Sequence, residues 1–345
     1  MKTGKNTLDK TIKILVGYHK PSYLLKDEIF TPIHAGRTVS GIVAKDGTIN
    51  EKEAHWLLEN AIGDDTGDNI STKNREYCEY TALYWAWKNY ETLGNPDYIG
   101  FMQYRRQFIL KYGIFEGKEL NEYEKAYATR IMEYPCKNYK EFLGIDKQNL
   151  NRILDSCGGI FTNPCDLSLT NVGTLRDDYT INISGLQGDD FDLMINVVTK
   201  MYPDMADYIH KRISQPLKCC FQMWVLPRKV FFEYMEFLFS VLFECEKHID
   251  VTNYSVNGKR TMGYLAELLC DFYMNFHKEE YNLLGADVCL IHSTIPQEEM
   301  VPMLTKYRIL YWKYKIAYLL RPKNKSLRDL KNMYRDRIKT INSIK

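Results

Sequence analysis

Asp97-Tyr98-Ile99-Gly100-Phe101-Met102-Gln103-Tyr104-Arg105-Arg106 is the stretch that decides the fold. Residues 97–102 (DYIGFM) form a short β-rich run, and two adjacent arginines close it at the carboxyl end. Guanidinium groups crowded at a strand end are costly unless they meet anions, and their fork suits phosphate. Alternation along a strand would send the two arginines to opposite faces, where one could pair with a structural carboxylate instead. Upstream, residues 75–93 read as a helix that begins with Glu76 and Glu79 and stops before Gly94 and Pro96. Further strands are expected at 11–17 (TIKILVG), 158–162, 219–226 and 285–292, and further helices at 190–201, 228–247 and 263–277. Within 228–247, Phe232, Met235, Phe239, Leu242 and Phe243 fall on one stripe, the mark of a core helix. Strands alternating with helices predict an α/β fold with a mainly parallel central sheet flanked by helices. Ligands of such sheets sit beyond the carboxyl ends of the strands, here 18–21, 103–106 and the loop after 162. The Tyr-, Lys- and Glu-rich stretch 112–150 has weak periodicity and reads as an insertion over the site.

Two polar segments flank this frame. Gly17-Tyr18-His19-Lys20-Pro21 follows the first strand, where His19 and Lys20 could contact a base, ribose or phosphate; a solvated turn ended by proline is the plainer reading. Asp64-Asp65-Thr66-Gly67-Asp68-Asn69-Ile70-Ser71 packs three carboxylates and a glycine closely enough to bind a cation, but its spacing is not that of an EF-hand. As a polar turn and helix start it also makes sense, since Asp, Asn and Ser favour such places.

The charge is unevenly spread. Residues 301–345 carry a net +11 and the preceding 300 residues a net −9, so an acidic body bears a basic tail and a nucleic-acid role is disfavoured. Within 304–320 (LTKYRILYWKYKIAYLL), lysines and arginine alternate with large apolar residues, a composition suited to an amphipathic helix at a membrane surface and too polar to span. Docking of that helix on the acidic body is the alternative. Pro296, Pro302 and the change of charge place a boundary near 300, giving a domain over 1–300 and a helical tail over 301–345. The nine cysteines include no C-x-x-C pair, and the N-terminus lacks an apolar leader segment, which points to reduced cytoplasmic thiols.

Taken together, His19-Lys20-Pro21, Asp65-Thr66-Gly67-Asp68-Asn69-Ile70-Ser71, Asn74, Cys78-Glu79, Thr81, Tyr84-Trp85-Ala86-Trp87-Lys88-Asn89 and Tyr98 to Arg106 resemble the DUF4422 family, found among capsular and exopolysaccharide glycosyltransferases. Phe231–Tyr234, Leu238-Phe239, Gly263-Tyr264 and Glu267 continue the resemblance, which covers roughly 12–277. It implies a GT-A-like transferase that moves a hexose from a nucleotide-sugar to a lipid-linked glycan acceptor at the inner face of the membrane. UDP-activated galactose or galactofuranose is the first expectation. His19, Lys20, Asp65, Asp68, Asn69 and Tyr104 would line the donor site, and Arg105 and Arg106 would grip the diphosphate. Such enzymes usually hold Mn²⁺ or Mg²⁺ on an acidic motif; here Gln103 to Arg106 stands at that place, so arginines could replace the metal, or Asp65 and Asp68 could hold it. An inverting reaction needs a base, for which Asp190 and Glu267 are the candidates. Their plainer roles are a helix-start charge for Asp190 and an ion pair with Arg260 for Glu267. The sequence departs from the family at Gln103, where a histidine is usual, at Gln222-Met223 in place of Asn-Met, and at Gly185-Leu186-Gln187, where a histidine pair is expected. Those departures keep open a non-catalytic carbohydrate- or nucleotide-binding protein derived from a degenerate transferase.

Overall fold

The computed structural model describes residues 10–40, 51–117, 119–132, 135, 138–170, 172–291 and 297–342. The N-terminal segment before Lys10, Pro296 and the expected end of the last strand at 292 lie outside the described residues.

Among the described residues eleven strands are present: β1 Ile12–Tyr18, β2 Phe30–His34, β3 Ile62–Gly63, β4 Tyr98–Gln103, β5 Arg106–Ile109, β6 Thr129–Met132, β7 Gly159–Thr162, β8 Pro164–Asp166, β9 Leu217–Cys219, β10 Trp224–Pro227 and β11 Leu283–Ile291. The helices that matter for the site are α1 Tyr80–Lys88, α2 Gly188–Met201, α3 Ala206–Ile213, α4 Arg228–Glu246 and α5 Thr261–Phe276, followed by α6 Gln297–Leu320 and α7 Lys325–Asn342. Nine strands make one sheet in the order β10-β7-β11-β5-β4-β1-β2-β3, with β6 beside β11; β8 and β9 pair separately.

The sheet is mixed, with β11 parallel to β6 and β7 as well as antiparallel to β5. Strands β4-β1-β2-β3 run parallel, but β10 is antiparallel to both β4 and β7, and β5 is antiparallel to β4 and β11. The antiparallel part follows from local chemistry: β4 turns straight back through Tyr104 and Arg105 into β5, a hairpin that only antiparallel strands permit.

Side chains alternate between two cores. Leu15, Phe101, Phe161 and Trp224 face one side with α1, α2, α4 and α5; Ile14, Met102, Ile160 and Val225 face the other. Both faces are covered, so the central strands read as continuous apolar runs. Helix α4 is buried more widely than one stripe, through Phe231, Tyr234 and Leu238 as well as Met235, Phe239 and Leu242. The segment 112–150 holds a capped helical turn (Glu122–Ala126), β6 and two short helices, Tyr139–Leu143 and Lys147–Leu154.

Two expected elements are broken. The helix over 75–93 is interrupted at Cys78, whose φ is 53°, and resumes as α1. The strand over 219–226 is split: β9 belongs to the small sheet, β10 to the large one, and between them Phe221 and Gln222 take φ 74° and 43°. Buried tethers force the split. Lys218 is ion-paired with Asp178 and Glu267, at 3.1 and 2.9 Å, and the Cys219 N–H donates to Asp271 at 2.7 Å. The chain must leave those anchors and reach β4 within a few residues, and the strain is concentrated in the turn.

Candidate functional site

The parallel half has a switch point. From β1 the chain crosses to β2 and β3 on one side, then returns to pair β4 on the other side of β1. A crevice opens at the carboxyl ends of such strands. Gly17 lies opposite Gln103, so His19 and Tyr104 emerge side by side; their rings meet edge to face at 5.1 Å, and Tyr18 stacks on Tyr104 at 5.4 Å.

The positive charges of Lys20, Arg260, Arg105 and Arg106 all act on His19. His19 is reached by solvent but walled by protein, and loss of bulk water, then the charges of Lys20, Arg260, Arg105 and Arg106, push its pKa down to about 4. The ring is therefore neutral at physiological pH, and the crevice is positive without it. Arg105 and Arg106 diverge, as strand alternation suggested. Arg105 donates to the Ile291 carbonyl at 3.3 Å, while the Ile291 N–H donates to the Arg105 carbonyl at 2.8 Å, fastening the hairpin to β11. Arg106 donates to Gln103 Oε1 at 2.6 Å and lies over the Phe221 ring at 4.6 Å; its Nε has no partner.

Behind the cations lies a carboxylate relay. The Gln103 amide donates to Glu79 Oε1 at 2.9 Å. Glu79 is held above the usual carboxylate range, chiefly by burial and then by the Glu267 charge, against the pull of Arg260 and Arg106. Glu267 pairs with buried Lys218, not with Arg260. Arg260 instead donates to Cys78 Sγ at 3.2 Å and to the Tyr264 hydroxyl at 3.3 Å. The structure thus brings together His19, Tyr104, Arg105, Arg106 and Glu267, with Lys20 exposed at the rim. Sequence reasoning missed Glu79, which reads as an ordinary first-turn helix charge, and Arg260, which carries no sequence signal as a crevice cation.

Asp190 sits elsewhere in the α2–α5 contact. One oxygen accepts from the Tyr254 hydroxyl at 2.9 Å and the other from the Thr261 hydroxyl at 2.8 Å, and burial raises its pKa. The acidic segment 64–71 is organised as a turn. Buried Asp64 accepts from the Gly36 and Arg37 N–H groups and from the Ser71 and Thr81 hydroxyls. Asp68 accepts from the Tyr84 hydroxyl at 3.2 Å, and Asn69 bonds within the turn to Gly67 and Ser71. Asp65 and Asp68 are exposed, and among the described residues no group of three or more His, Cys, Asp or Glu side chains converges as a metal cage. One hollow, of about 530 Å³, lies against Trp87, Phe237 and Tyr273 with Glu233 and Glu236, and its apolar, acidic wall does not suit a phosphate.

The cationic field is measurable. The His19 ring should titrate near pH 4 by NMR and move upward when inorganic pyrophosphate is added, because the anion offsets the arginines. Titration near 6.5 with no response to pyrophosphate would show that the crevice is not positive. His34, buried beside Arg37, is also lowered to about 4. Between pH 6.5 and 4 the unfolded chain takes up protons that folded His19 and His34 refuse, so stability should fall as pH drops through that window.

A positive crevice at the switch point of an α/β sheet suits an anionic ligand. The chain belongs to the family described as "Domain of unknown function (DUF4422)", whose model matches residues 13–279. A solved structure, the apo form of WbbM, a bifunctional glycosyltransferase, is similar at TM-score 0.70 and 26% identity. The likeness covers 83% of this chain and 46% of that one, so this chain spans less than half of WbbM. No curated protein matches the chain.

Proposed function

We propose that this chain is a GT-A-like glycosyltransferase that binds a nucleotide-sugar in the β1–β4 crevice and transfers its hexose to a lipid-linked surface polysaccharide. The observation that carries the reading is the meeting of His19 with Tyr104 at the carboxyl ends of β1 and β4, next to Arg105 and Arg106. Those charges would stabilise the departing diphosphate, the work a metal performs elsewhere. A UDP-sugar with galactose or galactofuranose is the first donor to try. Asp65, Asp68 and Asn69, on the turn after β3, lie at the same edge of the sheet and would line its nucleotide side. Glu267 is the stronger of the two expected bases and is joined by Glu79; Asp190 is the weaker, since both its oxygens already accept from hydroxyls.

The test is a thermal-shift screen of nucleotide-sugars. A donor at 100 times its Kd stabilises the native state by about 2.7 kcal/mol. Stabilisation by none of them removes the reading. Binding without transfer or hydrolysis across acceptors selects the non-catalytic alternative.

The reading includes a membrane surface. Helices α6 and α7 form a hairpin in which Tyr314 and Tyr334 stack at 5.6 Å and Lys331 lies over Tyr318. Ile309, Trp312, Ile316, Leu319 and Leu320, spaced three or four apart, are all more than half exposed on α6, beside Arg308, Lys313 and Lys315. Among the described residues no helix is long and apolar enough to cross a membrane. The stripe and its cations suit an anionic leaflet, at roughly 1 kcal/mol per basic residue near the surface. Full-length protein should pellet with anionic liposomes at low salt, and Trp312→Glu/Ile316→Glu should not. Equal pelleting of the two would rule this surface out.

A further inference from the structure

The turn between β9 and β10 carries two costs at one place. Phe221 and Gln222 are consecutive non-glycine residues at positive φ. Gln222 is also 2% exposed, and among the described residues neither its amide nitrogen nor its amide oxygen has a hydrogen-bond partner. A buried amide left unpaired is destabilising, and an apolar side chain of the same length would remove the penalty. The turn does not relax, because Lys218 and Cys219 are tethered just before it.

The position of the turn supplies a reason. Trp224 pairs with Phe101, antiparallel, so the chain preceding Trp224 runs toward the carboxyl end of β4, where Gln103 opens the crevice. Phe221 lies under the Arg106 guanidinium, whose Nε is also buried and unpartnered. Unmet hydrogen-bonding groups therefore gather beside Arg106, at the edge of the proposed diphosphate site. An amide offers both a donor and an acceptor. A phosphate oxygen could satisfy only the NH₂ group, whereas a sugar hydroxyl gives and accepts and satisfies both.

Resting on the function proposed above, we infer that Gln222 reads hydroxyls of the donor sugar and sets which hexose is accepted. A site built to hydrogen-bond a hydroxyl discriminates strongly, because the wrong sugar leaves its buried groups unpaired.

The test compares wild type with Q222M, which keeps length and volume and removes both polar atoms. Binding of UDP, UDP-galactose and UDP-galactofuranose is measured by calorimetry, transfer by kcat/KM, and folding by the melting temperature without ligand. UDP affinity should stay within about twofold, while affinity and kcat/KM for the preferred UDP-sugar fall about ten- to a hundredfold. The unliganded melting temperature should hold or rise. Equal weakening for UDP and UDP-sugar would overturn the inference, placing the amide on the nucleotide. Unchanged sugar binding would overturn it as well, and so would a lower melting temperature with donor discrimination intact. Wild type that binds neither UDP nor either UDP-sugar defeats the proposed function itself, a result distinct from wild-type binding that Q222M leaves untouched. Should Q222M not fold, Q222N, which keeps the amide but withdraws it, carries the same comparison.

Discussion

Arg106→Ala should lower kcat/KM about a hundredfold while leaving the melting temperature near that of the parent. The side chain is half-buried at the crevice and makes one side-chain hydrogen bond, to Gln103, so little of the core depends on it. A charge-assisted contact to a phosphate oxygen contributes roughly 1.5–3 kcal/mol, and each 1.4 kcal/mol is tenfold in rate. The loss exceeds one contact, because Gln103 is released and with it the amide that fixes Glu79. Arg106→Lys should recover only part, since an ammonium cannot lie flat on Phe221 and bind two oxygens at once. Arg105→Ala is the contrast: its guanidinium fastens β5 to β11, so it should lose more stability and less activity. Wild-type kinetics from Arg106→Ala would mean that the diphosphate lies elsewhere.

Asp271→Asn should cost roughly 3–5 kcal/mol of stability in urea unfolding, out of a total of about 5–15 for a typical domain. Asp271 is fully buried and takes two hydrogen bonds from Arg212, at 2.8 and 2.9 Å, besides the Cys219 N–H and the Asn275 amide. Removing its charge leaves the Arg212 guanidinium, itself 6% exposed, without its counter-ion. Replacing both partners, Arg212→Met with Asp271→Leu, should recover much of the loss, since well-packed apolar pairs can match a buried ion pair. A single substitution within 1 kcal/mol of wild type would show that the pair is not what holds α3 to α5. Loosening Cys219 also frees the strained turn, so donor affinity should fall with stability.

The parallel half of the fold was legible because it is local. Strands β1 and β4 are apolar runs that end in the residues lining the crevice, and the helices α2, α4 and α5 have clear periodicity and boundaries. The rest of the sheet was legible only in part: β7 and β11 fall where strands were expected at 158–162 and 285–292, but the β4–β5 hairpin and the start of β10 did not show. Residues 219–226 read as one strand because CCFQMWVL is apolar throughout. What breaks it is Lys218 meeting Asp178 and Glu267 and Cys219 meeting Asp271, partners that lie tens of residues away. Short β2 and β3 exist only because β1 offers them a pairing edge. The site was half visible for the same reason. Tyr104-Arg105-Arg106 announces itself through adjacency, but which arginine faces the crevice depends on the hairpin and on β11. Glu79 looks like a helix-start carboxylate until the break at Cys78 and the Gln103 amide give it a different neighbourhood. The missing histidine before Tyr-Arg-Arg looked like a sign of decay, yet Gln103 accepts from Arg106 and donates to Glu79, so the position still joins the two.

The α6–α7 hairpin holds itself together through its own rings, with Tyr334 contacting both Tyr307 and Tyr314. A part that is folded by its internal contacts can be exchanged without rebuilding what it is attached to. The crevice draws its side chains from residues 18–267, all earlier in the chain than the hairpin. The same catalyst could therefore be readdressed, between leaflets of different charge or between scaffolds of different enzymes, by grafting another hairpin, with its sugar preference carried along unchanged.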